Sequence, residues 1–106
     1  DVLRDKRLYR VDDDGRIENA YTLRIINKEA KPHVFVLSMQ SKAPVTMAPA
    51  ELRLPAGPEE VLTVPVTLTA APGAVRGRAD VRFVVQDAES TVQQSDVSRF
   101  FGPASP

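Results

Sequence analysis

Residues 14–28 read "DGRIENAYTLRIINK", and apolar and polar side chains alternate along this stretch almost without a break. Successive side chains of a β-strand point to opposite faces, so this alternation predicts a strand with one buried face. The dipeptide Asp14-Gly15 favours a hairpin turn before it. We predict a central strand, with its partner beginning just beyond Pro32. Its core face carries Ile17, Asn19, Tyr21, Leu23 and Ile25.

Nine prolines and five glycines, counted over the whole chain, divide the sequence into short segments rich in strand-forming residues. We expect the two short pieces between Pro44 and Pro58 to protect an edge rather than to build the core. Pro65 has no amide hydrogen, so its strand is expected to be an edge strand or to carry a bulge there. The further strands are predicted at "HVFVLSM" (33–39), 45–47, 51–54, "VLTVPVTLTA" (61–70), "ADVRFVVQD" (79–87) and "STVQQSDVSRFFG" (90–102).

These segments predict an all-β fold, because they give about seven short strands and no helical stretch of any length. Two packed antiparallel sheets of Ig-like topology bury their apolar faces in the simplest way. The 106 residues suit a single Ig-like domain spanning 1–106. Cysteine is absent, so no disulfide joins the sheets, and burial of large side chains, each contributing about 1.5–3 kcal/mol, must hold them together. The predicted core comprises Tyr21, Leu23, Ile25, Phe35, Leu37, Val66, Leu68, Phe83 and Val85.

Charge and hydropathy exclude several partners. Fourteen Lys and Arg residues balance fourteen Asp and Glu residues, so the field that would attract nucleic acid or an anionic bilayer is missing. The longest apolar runs are far shorter than the ~20 residues that a membrane helix needs. Without cysteine these residues offer no thiolate nucleophile and no cysteine ligands for zinc or an iron–sulfur cluster.

The metal-ligating residue types are sparse and poorly spaced. "DDDG", ending at Gly15, resembles a calcium loop, but Arg10 falls at the first ligand position and Tyr21 at the twelfth, where a glutamate is needed. The remaining soft ligands are His33, Met39 and Met47. His33 and Met39 lie about 20 Å apart along one strand and cannot chelate the same ion. We predict no metal site and interpret these residues as packing or surface groups.

No catalytic or cofactor-binding residues are predicted either. The carboxylates of Asp12–Asp14 and Glu59-Glu60 are neighbours on turns, whereas acid–base catalysis needs two groups that face each other across a cleft. A single histidine leaves little room for a nucleophilic triad, and no G-x-S-x-G or H-E-x-x-H motif occurs. The basic cluster of Arg76, Arg78 and Arg82 has no interleaved aromatics and is interpreted as a charged face.

Five strings spread over the chain are distinctive when taken together: "DVLRDKRLYR", "DDGRIENAYTLRIINK", "KPHVFVLS", "RFVVQD" and "SRFFGP". They resemble the C-terminal Ig-like domain of the FixG/CcoG family of cytochrome c oxidase accessory proteins, almost from end to end. The most specific piece runs from Arg16 through Asn19 and Tyr21 to Asn27.

The resemblance implies a bacterial inner-membrane parent protein whose upstream part holds transmembrane helices and 4Fe-4S clusters. Such a protein acts in assembly of a cbb-type oxidase and reduces copper for it. The domain would be a non-catalytic, periplasmic module without a cofactor of its own, emerging at Asp1 from the last membrane helix. Its partner would be an oxidase subunit or a copper-assembly factor, or it would brace its own membrane part. Two alternatives remain: a free-standing secreted binding or chaperone-like sandwich, and a domain that itself delivers copper.

Overall fold

The computed structural model describes residues 2–4 and 9–104. In this part of the chain the backbone forms nine β-strands and no helix. The strands are β1 Val2–Arg4, β2 Arg10–Val11, β3 Ile17–Ile26, β4 His33–Gln40, β5 Val45–Met47, β6 Glu51–Ala56, β7 Val61–Ala70, β8 Arg78–Asp87 and β9 Gln93–Phe101.

The strands form two antiparallel sheets. The first has the order β1-β3-β7-β5, with β2 also paired to β3, and the second has the order β6-β4-β8-β9. The prediction of an all-β, two-sheet sandwich is confirmed. All seven predicted strands are present, and β1 and β2 are additional. Because these two strands span only three and two residues, they are too short to show a period.

The predicted partner of the first central strand is wrong. β3 pairs with β7 along its whole length, from Ile17 opposite Ala70 to Ile26 opposite Val61, while β4 lies in the other sheet. The inner faces of both strands are apolar, and placing them in facing sheets lets each cover the other. The six residues between the strands therefore cross from sheet to sheet instead of forming a hairpin.

Burial follows the predicted alternation in β3. Its five inward residues are all buried, and their neighbours are half-buried or exposed. Tyr21 packs edge-on against Phe83 with ring centroids 5.1 Å apart, an arrangement that the aromatic quadrupoles favour. Seven of the nine predicted core residues are buried, and Phe35 and Val85 are partly buried against them. The core also includes Ile17, Val45, Met47, Val64, Ala70, Val75, Val81 and Phe100.

The two short pieces near the prolines do lie at sheet edges, one in each sheet. However, Val45 and Met47 of β5 are buried, so this strand builds the core as well as an edge, contrary to the prediction. It is close enough to do so because it pairs with Leu68, Thr69 and Ala70 of β7.

Pro65 lies where β7 has a free side. Beyond the reach of β5, β7 is paired on one side alone among the described residues, and its register with β3 runs through Pro65 without a bulge. Asn27 N–H donates to the carbonyl of Glu60, so these two residues form a hydrogen-bonded pair. Hydrogen-bonded and non-hydrogen-bonded pairs alternate along an antiparallel ladder, so Pro65 and Thr22 form a non-hydrogen-bonded pair. The nitrogen of Pro65 therefore points away from β3, towards the free side. The edge alternative is therefore the correct one, and no ladder hydrogen bond is lost.

The sandwich has two ends, which are named here by one residue each. The His33 end consists of the connections 27–32, 57–60 and 88–92. The Gly102 end consists of the turn 12–16, the connection 71–77 and the residues that follow β9. β1 runs antiparallel to β3, with Val2 opposite Leu23 and Arg4 opposite Tyr21, so its N-terminal side points towards the His33 end.

Candidate functional site

The loops of the His33 end are tied together by the buried side chain of Asn27. Its Nδ2 donates to the carbonyls of Lys31 and Gly57, both at 2.9 Å, and its Oδ1 accepts from Glu29 N–H at 3.1 Å. One amide thus satisfies backbone groups of two separate connections, which is how buried polar groups are normally accommodated. The connections 27–32 and 57–60 are consequently held in one arrangement relative to each other.

A second set of contacts fixes the 57–60 connection. Glu60 Oε1 accepts from Gly57 N–H at 2.7 Å, and Glu59 N–H donates to the carbonyl of Glu29 at 3.0 Å. Glu59 has a φ of 58°, a left-handed conformation that is uncommon for a residue with a side chain. The predicted role of the Glu59-Glu60 pair as turn residues is confirmed for Glu60, whose carboxylate closes the turn.

His33 lies between two carboxylates at this end. Its Nδ1 is 2.8 Å from Oδ2 of Asp87, and its Nε2 contacts Oε2 of Glu29. The imidazole is 12% exposed and stacks on Phe35 with ring centroids 6.1 Å apart. Both ring nitrogens therefore lie against carboxylates, although Nε2 makes no hydrogen bond within the described residues. These contacts place β4, β8 and the 27–32 connection side by side.

Beside His33 the surface opens into a shallow pocket of about 320 Å³. The pocket lies between the start of β4 and the end of β6, and it is mostly apolar apart from His33 and one carboxylate. Ligand and protein anchors commonly enter such concave apolar sites. The lining residues are Pro32, His33, Val34, Pro55, Ala56, Gly57 and Glu89.

Exposed apolar side chains surround the same end. Ile26 and Val61 face each other at the last pair of the β3–β7 ladder and are 48% and 45% exposed, and Val92 in the 88–92 connection is 68% exposed. Carboxylates lie among them, with fewer lysines. The acidic residues are Glu29, Glu59, Glu60, Asp87 and Glu89, and the basic ones are Lys28 and Lys31. Protein–protein contact surfaces likewise combine exposed apolar side chains with charged ones.

The other predicted soft ligands do not join His33. Met39 packs against the hydrophobic core on β4, and Met47 is a buried core residue on β5 in the opposite sheet. Within residues 2–4 and 9–104, no three His, Asp or Glu side chains are grouped so that they could hold a metal ion. The interpretation of both methionines as packing residues is confirmed.

The acidic turn and the arginine cluster are surface features, as predicted. Oδ1 of Asp12 accepts from the N–H groups of Asp14 and Arg16, both at 2.9 Å, so this carboxylate shapes the turn before β3. The three arginines are exposed, and Nη1 of Arg82 donates to Ser95 Oγ at 3.0 Å.

Sequence reasoning missed Asn27 and Asp87 as members of this end. Asn27 was singled out as part of the family resemblance, and Asp87 closes β8 fifty-four residues after His33 in the chain. No helix in the described part of the chain is long and apolar enough to cross a membrane.

The fold and this surface define the class of domain. It is an Ig-like sandwich without a disulfide, and one of its ends carries a shallow pocket and several carboxylates. The chain matches, over residues 1–103, the family model described as "IG-like fold at C-terminal of FixG, putative oxidoreductase". It belongs to this family, and the resemblance found in the sequence is confirmed.

A solved structure supports the assignment. The crystal structure of a FixG-related protein from Vibrio parahaemolyticus superimposes with a TM-score of 0.80 at 25% identity, covering 95% of this chain and 92% of that chain. None of the curated proteins matches the chain.

Proposed function

We propose that this chain is the non-catalytic accessory domain of a membrane-bound, ferredoxin-type FixG protein that acts in cbb-type cytochrome c oxidase assembly and copper reduction. The 4Fe-4S clusters would belong to the upstream part of the protein, and this domain would lie in the periplasm. Its own role is a protein contact, made with an oxidase subunit, with a copper-assembly factor or with the redox part of its own chain. The family description supports the link to FixG.

The observation that carries the contact role is the direction of β1. In a domain at the C-terminus of FixG, the preceding part of the protein joins through β1. The N-terminal side of β1 points towards the His33 end, which supports an approach of the proposed upstream part from that end. The pocket beside His33 and the exposed pair Ile26 and Val61 lie at this same end, where they would be available to the redox part or to its partners.

The surface chemistry of the His33 end suits such a contact. Apolar side chains supply burial, at about 25 cal/mol per Å² removed from water, and the surrounding carboxylates select a partner that carries basic groups. Asn27 holds the connections in place before binding, which lowers the ordering cost of association.

The test uses the full-length membrane protein with Val61→Asp, and Val11→Asp as its matched control. The two valines are equally exposed, at 45% and 47%, but Val11 lies on β2 near the Gly102 end. We expect Val61→Asp to lower the amount of assembled oxidase and to weaken cross-links from this domain to the upstream part or to oxidase subunits. Val11→Asp should leave both at the wild-type level. Thermal unfolding of both isolated domains checks that each variant folds.

If Val61→Asp supports wild-type oxidase assembly and cross-linking, the contact role of the His33 end is wrong. A free-standing secreted binding or chaperone-like sandwich is the competing function. Hydrophobic segments and cysteine clusters upstream in the gene product support the FixG-type role, and a simple secretion signal supports the competing one.

A further inference from the structure

The sheet edges of this domain are not equally protected against pairing with another strand. β5 has three residues, β6 contains Pro55, and the free part of β7 contains Pro65. Short edges and prolines are among the means by which proteins prevent edge-to-edge association. β9 has nine residues without proline or lysine, and its register with β8 is unbroken. Among the described strands, β9 therefore forms the one long edge open to pairing.

The direction of the backbone groups of β9 follows from the hydrogen bonds at its two ends. Asp87 N–H donates to the carbonyl of Val92 at 3.0 Å, and Gly102 N–H donates to that of Gly77 at 2.8 Å. Even-numbered residues of β9 thus bond to β8. Since the pattern alternates in antiparallel pairs, the odd-numbered residues direct their N–H and C=O groups away from the sheet.

Two of these odd-numbered residues are already occupied from within the molecule. Asn19 bonds both backbone groups of Phe101, and the hydroxyl of Tyr21 donates to the carbonyl of Arg99 at 2.8 Å. Within the described part of the chain, the outward backbone groups of Gln93, Ser95 and Val97 have no such partner. All three residues are exposed. The available edge is thus a segment centred on Ser95.

We propose that this segment pairs antiparallel with the same segment of a second copy, about a two-fold axis at Ser95. Ser95 then lies opposite Ser95 of the second copy, and Gln93 lies opposite Val97 of the second copy. All the outward groups are satisfied by about six backbone hydrogen bonds. A two-fold interface must be self-complementary, and a segment with three equally spaced free residues meets that condition.

Side-chain chemistry selects this register over its neighbours. With the axis at Ser95, Gln94 lies opposite Asp96 of the second copy. The side-chain amide of Gln94 can then donate a hydrogen bond to the carboxylate of that Asp96, which can accept several hydrogen bonds at once. An axis at Asp96 would place like charges directly opposite each other, which is destabilising. It would also direct Gln93 towards Arg99, whose carbonyl already accepts from Tyr21. An axis at Gln94 would move Val97 opposite the turn before β9.

The resulting assembly is one continuous eight-stranded sheet, built from two four-stranded sheets. Because the two β9 strands are antiparallel, the His33 ends point in opposite directions. The pocket beside His33 lies mainly between β4 and β6, on the side of the sheet away from β9, so the second copy leaves it open. The proposal is therefore independent of the contact role proposed for the His33 end.

Cross-linking of single-cysteine variants tests the register. The chain has no cysteine, so one introduced thiol can form a disulfide only between copies. In Ser95→Cys the two Cα atoms would be about 5.5 Å apart, which a disulfide spans. In Val97→Cys they would be offset by four residues, about 13 Å, which it cannot span. Mild oxidation should give dimer with Ser95→Cys and monomer with Val97→Cys. Equal cross-linking of both variants, or none, would overturn the proposal.

Sedimentation equilibrium up to millimolar concentration tests the affinity. Gln94→Lys should tighten the dimer, because the ammonium meets Asp96 of the second copy, and Gln94→Glu should weaken it, each by about tenfold. Ser95→Pro removes an outward N–H that β8 does not use, and it should abolish the dimer while the domain stays folded by circular dichroism. Ser95→Ala keeps that N–H and should dimerise. The proposal is wrong if the wild-type chain stays monomeric, or if the two Gln94 variants have identical dimer dissociation constants.

Discussion

Asn19, in one sheet, hydrogen-bonds both backbone groups of Phe101 in the other. Its Nδ2 donates to the carbonyl of Phe101 at 2.9 Å, and its Oδ1 accepts from the N–H of Phe101 at 2.8 Å. The side chain thereby acts as one further residue of a strand along the edge of β9. In a sandwich without cysteine, this contact joins the two sheets in the place of a covalent link.

Replacing Asn19 should therefore cost more than a typical polar substitution. Asn19→Ala removes the hydrogen bonds from the buried Asn19 side chain to the N–H and the C=O of the partly buried Phe101, and each lost bond of this kind costs about 1–3 kcal/mol. We expect the free energy of unfolding to fall by about 2–4 kcal/mol in urea titrations. Gln93→Ala, at an exposed position of β9, is the control and should change it by less than about 0.5 kcal/mol. Equal effects of the two variants would contradict a linking role for Asn19.

Tyr21 supports the same edge through a hydrogen bond from its hydroxyl to the carbonyl of Arg99. Tyr21→Phe keeps the ring and its contact with Phe83 while removing the hydroxyl. We expect a loss of about 1–2 kcal/mol in the free energy of unfolding. Tyr9→Phe makes the same chemical change at a partly buried position where no hydroxyl hydrogen bond is found in the described part of the chain. A similar loss in Tyr9→Phe would show that the hydroxyl of Tyr21 contributes nothing specific.

The alternation in residues 17–26 was sufficient to predict which face of β3 is buried, including Asn19. It could not predict the partner of β3, because periodicity records which face is apolar and carries no information about which strands pair. The contact between Asn19 and Phe101 spans 82 positions in sequence, and an asparagine on a core face predicts a partner without identifying it.

Residue periodicity also could not predict which side chains are buried in irregular segments. Val75 is 4% exposed within the connection 71–77, where no period exists to assign it to a face. At the His33 end, the candidate site depends on three connections that meet only through the sheet topology. His33 could be singled out from the sequence, whereas its neighbours Glu29 and Asp87 could not, since each belongs to a different element.

Asn27 should control the order of the His33 end in particular. Asn27→Ala removes the bonds to Lys31 and Gly57, and the connections 27–32 and 57–60 lose their common anchor. We expect faster amide hydrogen exchange in these two segments and a loss of about 1–3 kcal/mol in overall stability. Asn19→Ala is the matched control, because it should accelerate exchange near Phe101 instead. Uniform acceleration over the whole chain in both variants would contradict the separation of the two ends.

Gly102 lies where a side chain has no room. A Cβ at this position would be 2.3 Å from the carbonyl oxygen of Val75, a backbone atom that cannot move aside by changing a rotamer. Gly102→Ala should therefore lower the free energy of unfolding by about 1–3 kcal/mol. Gly57→Ala is the control, since its Cβ would meet Glu60 Oε1 at an ordinary 3.6 Å. If the two alanine variants have equal melting temperatures, the close approach of Gly102 to Val75 is wrong.

Copper should not bind His33, Met39 and Met47 as one site. His33 lies between two carboxylates at one end of β4, while Met39 and Met47 contact the core about 20 Å further along the sandwich. Titration of the domain with Cu(I), followed by NMR, should give no joint, saturable shifts of the three residues. Asp87→Ala releases Nδ1 of His33 and serves as the comparison: it should make His33 more responsive to Cu(I) without involving either methionine. Joint saturation of all three signals in the wild-type domain would establish a copper site and would assign copper delivery to the domain itself.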